Sequence, residues 1–305
     1  MSTVATTDPG LRHVDRDPRA TRADSPSRRG RVGRERANWP LTILLALGSL
    51  TVLVPLFVTV NMSLKTTSQA VDGNAFSLPA PPTLQSFAEA WTLTDFPRAF
   101  LVSLGITAVA VAGEILISSA AAYAIVRNWD RPLFRGAFFY LLAALFIPFP
   151  VVALPQIRIT GVLGLDNPVG VTLLHIAFAM AFNTMLFTAF LRSLPLELEE
   201  SMRVDGANTW TVFWRLILPL LGPMCATVGI FAFIQTWNDF MMPSLIISDP
   251  SLQTIPVLQS MFQTQFSNNY NVAFASYLMA MAPAILAYLV AQRWVLSGLT
   301  QGAIK

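Results

Sequence analysis

A polar interruption of an otherwise apolar sequence, residues 192–219, holds the residue types best suited to a physical task. Ser193 and Pro195 suit a helix start, and Glu197, Glu199 and Glu200 put negative charge in its first turns, where unpaired N–H groups and the helix dipole favour it. Leu194, Leu198 and Met202 recur at a spacing of four and form an apolar stripe. Gly206, after Asp205, suits a left-handed turn. Asn208 then caps a second helix whose face is Trp210, Phe213, Trp214 and Ile217, ended by Pro219 and Pro223. Helix, sharp turn and helix make an elbow.

The remaining chemistry-bearing residues are few. Glu114 lies about 22 Å into an apolar run at about 1.5 Å per residue, too deep for its short side chain to reach water, so it is expected to face protein, as a packing hydrogen bond or along a pathway. Trp237, Asn238 and Asp239 sit roughly 28 Å beyond Pro219, where an aromatic face, an amide and a carboxylate suit a sugar or, equally, an interfacial turn. His175 is the one histidine of the apolar segments and is expected to pack and hydrogen-bond. Pairing it with Ser118 or Ser276 gives a conceivable hydrolase dyad, but no nucleophile elbow accompanies either serine. The sequence has no phosphate-loop glycine-lysine motif and no His-Glu-x-x-His, and its single cysteine, Cys225, has no partner within the chain. Catalysis, a metal site, a bound cofactor and self-contained ATP hydrolysis are therefore not expected.

The elements that must position these residues follow from composition. Of the 305 residues 54% are hydrophobic and only 12% charged, with mean hydropathy +0.55, where a soluble domain carries about 25% charge. Six runs reach the roughly 20 apolar residues needed to cross a bilayer, at about 40–63, 99–126, 133–157, 169–191, 219–247 and 274–296. None alternates as a lipid-embedded strand must, so an all-α polytopic membrane protein of six spans is expected. Small residues crowd the second run, including Gly105, Ala108, Ala112, Gly113, Ser118, Ser119 and Ala120 to Ala122, which lets neighbouring helices approach closely. The third run should bend at Pro148, Pro150 and Pro155.

Residues 1–38 are rich in Arg, Ser, Thr, Pro and Asp and bury too little to offset ordering entropy, so they are expected to form a disordered tail ahead of a membrane domain at 39–305. Arg28-Arg29 invites comparison with an export signal, but the apolar run begins well downstream and is too long. With the amino terminus inside, 17 of the 20 Lys and Arg fall on the inner side, leaving only Lys65, Arg98 and Arg158 outside. Both termini and the elbow are then cytoplasmic. A net charge of +3 needs no nucleic-acid partner when the basic residues sit beside anionic lipid. Outside, Pro79 to Thr83 resists regular structure, and Leu84 to Trp91 reads as a short amphipathic helix.

The elbow resembles the EAA loop of ABC importer permeases. Glu200, Gly206, Leu218 and Pro219 fall at that pattern's spacing, and Asp205-Gly206-Ala207 is its common turn. Ser201 and Met202 stand where two alanines are usual, and Leu216 replaces isoleucine. The likeness extends over much of 40–305 and is closest to the MalG-like permease of carbohydrate importers, through Ser63-Leu64-Lys65, Ala121 to Ala124, Phe213-Trp214-Arg215, Trp237 to Phe240 and Gly298 to Lys305. What it implies is a coupling loop at 192–218 in which Glu200, Ser201, Met202, Arg203, Asp205, Gly206 and Ala207 dock into a cytoplasmic ATPase dimer that carries the ATP and magnesium. It further implies a second, MalF-like permease, an extracytoplasmic solute-binding protein and a sugar or oligosaccharide cargo, with glycerol phosphate or a polyol as the alternative. A pathway past Trp237, Asn238, Asp239 and Glu114 is the companion expectation. A stand-alone ion-coupled carrier is the rival class, and it usually shows paired broken helices with coupling carboxylates.

Overall fold

The computed structural model describes residues 38–264 and 269–303. The Arg-rich segment and the last two residues of the Gly298 to Lys305 run lie outside them, so the expectations placed there have no structural counterpart. Among the described residues all regular structure is helical.

The first helix, α1 (Trp39–Ser63), is apolar throughout and almost wholly exposed until Asn61, Met62 and Ser63 enter the protein at its end. Two short helices follow, α2 (Thr67–Asp72) and α3 (Gln85–Leu93). Thr66 and Gln69 close the start of α2 reciprocally, each side chain bonding the other's backbone N–H. Beside them Lys65, only 1% exposed, donates through Nζ to the Asn74 carbonyl at 2.6 Å and to Ser77 Oγ at 3.1 Å.

The centre is α4 (Phe96–Arg127), packed against α7 (Pro168–Leu191) and α10 (Gly222–Trp237). Its small residues serve two faces rather than one. Ala110, Ser118, Ser119 and Ala122 are buried against neighbours, whereas Ala108 and Ala112 line an open apolar groove between α4, α10 and α12 (Tyr270–Ala303). In lipid such contacts rest on close packing and hydrogen bonds, because hydrocarbon tails are as apolar as the side chains.

Two expected spans are broken. The third divides into α5 (Pro132–Ala144) and α6 (Phe149–Val162), bent by 105° at Leu145 to Pro148. Pro148 and Pro150 carry no N–H and cannot extend the preceding ladder, so the chain restarts rather than kinks. The fifth is preceded by α9 (Thr209–Leu220), which meets α10 at 74°. Pro219 was expected to end that helix, yet the helix passes through it. A wide turn at Phe213–Ile217, closed by Leu218 N–H on the Phe213 carbonyl, absorbs the proline, and the break falls at Leu221 ahead of Pro223. At the far end α10 stops at Trp237, short of the expected 247, and α11 (Met241–Ile246) starts after a turn at Asn238 and Asp239. Among the described residues four helices are long and apolar enough to cross a membrane alone, and up to six result if each bent pair counts as one span.

Candidate functional site

The elbow is built as its residues dictate. Helix α8 (Glu197–Val204) ends at Asp205, and Gly206 takes φ +83°. There the Gly206 N–H bonds the Arg203 carbonyl and the Ala207 N–H bonds the Met202 carbonyl, each at 3.0 Å, satisfying carbonyls that the helix end would orphan. Asn208 Oδ1 then accepts from the Thr211 N–H at 2.8 Å, capping α9. Of the predicted stripe, Leu194 and Met202 pack against the cluster of Tyr123, Phe187, Leu191, Val212, Phe213 and Ile217, while Leu198 stays 43% exposed. Leu218 also packs there, and Pro219 is exposed.

The outward side carries Glu200, Ser201, Arg203, Val204 and Asp205, all exposed, with Trp210 beside them on α9. Val204 is 87% and Trp210 69% exposed, so the free surface mixes acid, base and bare apolar side chains. The inward side holds a residue that sequence reasoning treated as one helix-start acid among three. Glu199 is 2% exposed and accepts from Arg127 Nε at 2.7 Å and from the Tyr123 hydroxyl at 3.0 Å. Arg203 Nη2 lies 3.8 Å from Oε2, the oxygen that accepts from Tyr123. Glu199 therefore fastens the elbow to the end of α4. Basic Arg127 closing the second span hinted at an ion pair, but Glu197, Glu199 and Glu200 were equivalent partners until the rotation of α8 about its axis was known.

A second arrangement lies between α4, α7, α10 and the α5–α6 bend. Here Glu114, His175, Asn183, Gln235 and Asp239 share a cavity of about 850 Å³ with Phe149, Phe178, Phe182 and Phe231. Asn183 Nδ2 donates to Glu114 Oε2 at 3.1 Å, and both side chains are buried. Asp239 caps α11, its Oδ1 accepting from the Met241 N–H at 3.0 Å, while its Oδ2 lies 3.3 Å from His175 Nε2. His175 and Asn183 are eight residues apart on α7, two turns along one face and about 12 Å at about 1.5 Å per residue. The break after Trp237 thus turns Asp239 inward to His175, where a continuous helix to 247 would have carried it past.

The other two pathway candidates sit elsewhere. Trp237 is buried against Phe233, ring centroids 5.7 Å apart, and its Nε1 donates to the Ala280 carbonyl at 3.1 Å, tying α10 to α12. Asn238 Nδ2 turns back to the Ile234 carbonyl at 2.8 Å. His175, expected to be a packing residue, and Asn183, not singled out at all, are the members that sequence reasoning undervalued. Their eight-residue spacing within an apolar run was the available signal.

Helices of membrane length, two broken spans and an exposed elbow define a polytopic membrane protein. The chain belongs to the family of binding-protein-dependent transport system inner membrane components, whose model matches residues 114–301. It is 34% identical over 267 residues to the multiple sugar-binding transport system permease protein MsmG of Streptococcus mutans, covering 86% of this chain and 95% of that one. It is 28% identical to the melibiose/raffinose/stachyose import permease protein MelC of Bacillus subtilis, over 90% of this chain and 99% of that one. Identity to the sn-glycerol-3-phosphate transport system permease protein UgpE of Yersinia pestis is 33%, over 84% and 94%. Among solved structures, a bacterial ABC transporter involved in the import of the acidic polysaccharide alginate superposes with a TM-score of 0.71 at 21% identity, over 84% of this chain and 95% of that one, and so shares the fold. This is a permease subunit of an ABC importer, a multi-pass protein of the cytoplasmic membrane and not an enzyme.

Proposed function

We propose that the chain is the MalG-like half of a sugar or oligosaccharide importer, working beside a MalF-like permease, an extracytoplasmic solute-binding protein and a cytoplasmic ATPase dimer that binds ATP and magnesium. Both termini and the elbow face the cytoplasm, a reading that the distribution of Lys and Arg supports. Glu200, Ser201, Met202, Arg203, Asp205, Gly206 and Ala207 engage the ATPase, and Leu218 and Pro219 carry the motion into α10. When nucleotide closes the ATPase pair the elbow swings, and the pathway beside Glu114 and Asp239 changes its opening. The α5–α6 and α9–α10 bends act as the joints.

The observation that carries this reading is the two-sided elbow. One side is anchored by Glu199 to α4, and the other leaves Glu200, Val204 and Trp210 free. A lever needs both a rigid root and a grip. The sugar cargo is supported by the sugar-importing relatives, and glycerol phosphate or a polyol is the second reading because one relative at 33% identity carries that name. The test is uptake by proteoliposomes holding the assembled importer. Accumulation is expected to require ATP hydrolysis and to persist when ion gradients are collapsed. Uptake that needs no ATPase subunit and stops with the ion gradient would establish a secondary carrier instead.

A further inference from the structure

We propose that the cavity between the Arg127 end of α4 and the elbow binds the phosphate headgroup of an anionic phospholipid of the cytoplasmic leaflet. The choice of leaflet rests on the reading that places the elbow in the cytoplasm, and the headgroup chemistry does not. A space of about 370 Å³ lies between α4, α8 and the start of α9, with Arg127, Asn128, Arg203, Thr209, Trp210 and Phe213 in its lining. That volume falls within the roughly 300–1,000 Å³ of small-ligand sites. Arg127 and Arg203 bring planar forks of N–H donors, the geometry that grips phosphate oxygens. Asn128 adds an amide and Thr209 a hydroxyl.

The local charge favours an anion once the neighbouring acids are counted. Glu199 stands behind the cavity, 2% exposed, and accepts from Arg127 Nε at 2.7 Å, so it neutralises one guanidinium. Arg203 is the second. It is 53% exposed and its Nη2 stays 3.8 Å from Glu199, beyond hydrogen-bond reach, so its donors remain available. Asp130, Glu197, Glu200 and Asp205 are exposed to solvent and none of them lines the cavity. One positive charge is therefore left to meet a phosphate.

The surroundings identify that phosphate as a lipid's. Helix α4 has 32 residues, about 48 Å at about 1.5 Å per residue against a hydrocarbon core about 30 Å thick, so its ends stand in the headgroup layers. Helix α9 meets α10 at 74°, and so runs along the membrane surface where α10 crosses it. On α9, Trp210 and Trp214 lie one turn apart, 69% and 49% exposed, with Arg215 exposed beside them. Paired indoles with a flanking cation are the marks of an in-plane helix at headgroup depth. From a phosphate in the cavity, glycerol and acyl chains continue past Trp210 into the bilayer, whereas a free anion gains nothing from the indole. Bound there, the lipid ties Arg127 of α4 to Arg203 of α8, a second fastening of the elbow beside Glu199.

The test is photolabelling, with peptide mapping, of the assembled importer in nanodiscs by phosphatidylglycerol that carries a diazirine on one acyl chain. Label is expected on peptides containing Trp210 and Trp214, and phosphatidylcholine bearing the same chain should label them at least about fivefold less, the difference that one basic residue makes to an anionic lipid. Thr209→Glu puts a carboxylate in the cavity at a helix start that tolerates acid, and should cut the phosphatidylglycerol label about fivefold for the same reason. Thr209→Gln, which keeps a donor, should retain most of it. Co-purified ATPase reports assembly of each variant, and where Thr209→Glu does not assemble, Asn128→Asp is read in the same way. Equal labelling by phosphatidylcholine, a label indifferent to the assembled variant, or a label displaced by inorganic phosphate at constant ionic strength would overturn the lipid site, the last by making it a site for free phosphate. Failure of the ATPase to co-purify with the unaltered permease would instead count against the permease reading, and the label beside Trp210 would still decide the lipid.

Discussion

Replacing Arg127 with methionine removes the cation that holds Glu199 and keeps most of the aliphatic bulk. Glu199 is 2% exposed, so its carboxylate would be left buried with the Tyr123 hydroxyl as its remaining close donor. Orphaning one member of a buried ion pair costs about 3–5 kcal/mol. Arg203, 3.8 Å away and 53% exposed, can swing in and recover part of that, which leaves about 2–3 kcal/mol. The loss falls on the docking of α8 against α4 rather than on the whole fold, so the undocked elbow should become roughly 30- to 150-fold more populated. Hydrogen exchange of amides in Glu197–Val204 reads this directly and should quicken by that factor, while amides within α7 keep their protection. ATP hydrolysis should then proceed with less solute moved per turnover, because a loose root cannot transmit the stroke. Adding Glu199→Gln should restore most of the protection, since no buried charge is then unpaired. Exchange unchanged by Arg127→Met, or a double variant as loose as the single one, would refute the anchoring role of this pair.

Gly206→Val should leave insertion intact and uncouple hydrolysis from uptake. No atom lies within 4 Å of a β-carbon placed there, so the penalty comes from φ +83°, about 1–2 kcal/mol for an ordinary L-residue and more for a β-branched one; unimpaired solute uptake would contradict it. Glu200→Arg should lower ATPase retention on the purified permease by at least about tenfold, because the resemblance pairs Glu200 with a basic ATPase residue that an arginine would repel, measured by co-purification, with α8 still protected from exchange. Deleting residues 2–30 should leave uptake unchanged, because that stretch has no packing face in its sequence, and loss of assembly would show otherwise.

Local rules made much of the elbow legible. Gly206 was read from the need for a left-handed turn and Asn208 from capping, and both play those parts in the structure. Helix type followed from the apolar runs, because a bilayer leaves the backbone few alternatives. Properties that depend on how helices rotate against one another escaped. Which of three neighbouring glutamates is buried is decided by tertiary contact with Tyr123 and Arg127. Pro219 misled because a wide turn three-dimensionally accommodates a missing N–H, and that turn leaves no mark in composition. The pairing of His175 with Asp239 bridges 64 residues and depends on where α10 stops. No local pattern marked that stop.

The grip of a nucleotide-driven partner on the elbow is tested most directly by a crosslink. A single cysteine at Ser201, in a chain whose Cys225 is replaced by alanine, should couple to the ATPase subunit in intact membranes, with a yield that changes when ATP closes the ATPase pair. Absence of any ATPase adduct from Ser201, Arg203 and Asp205 positions alike, in membranes that still import solute, would contradict the lever.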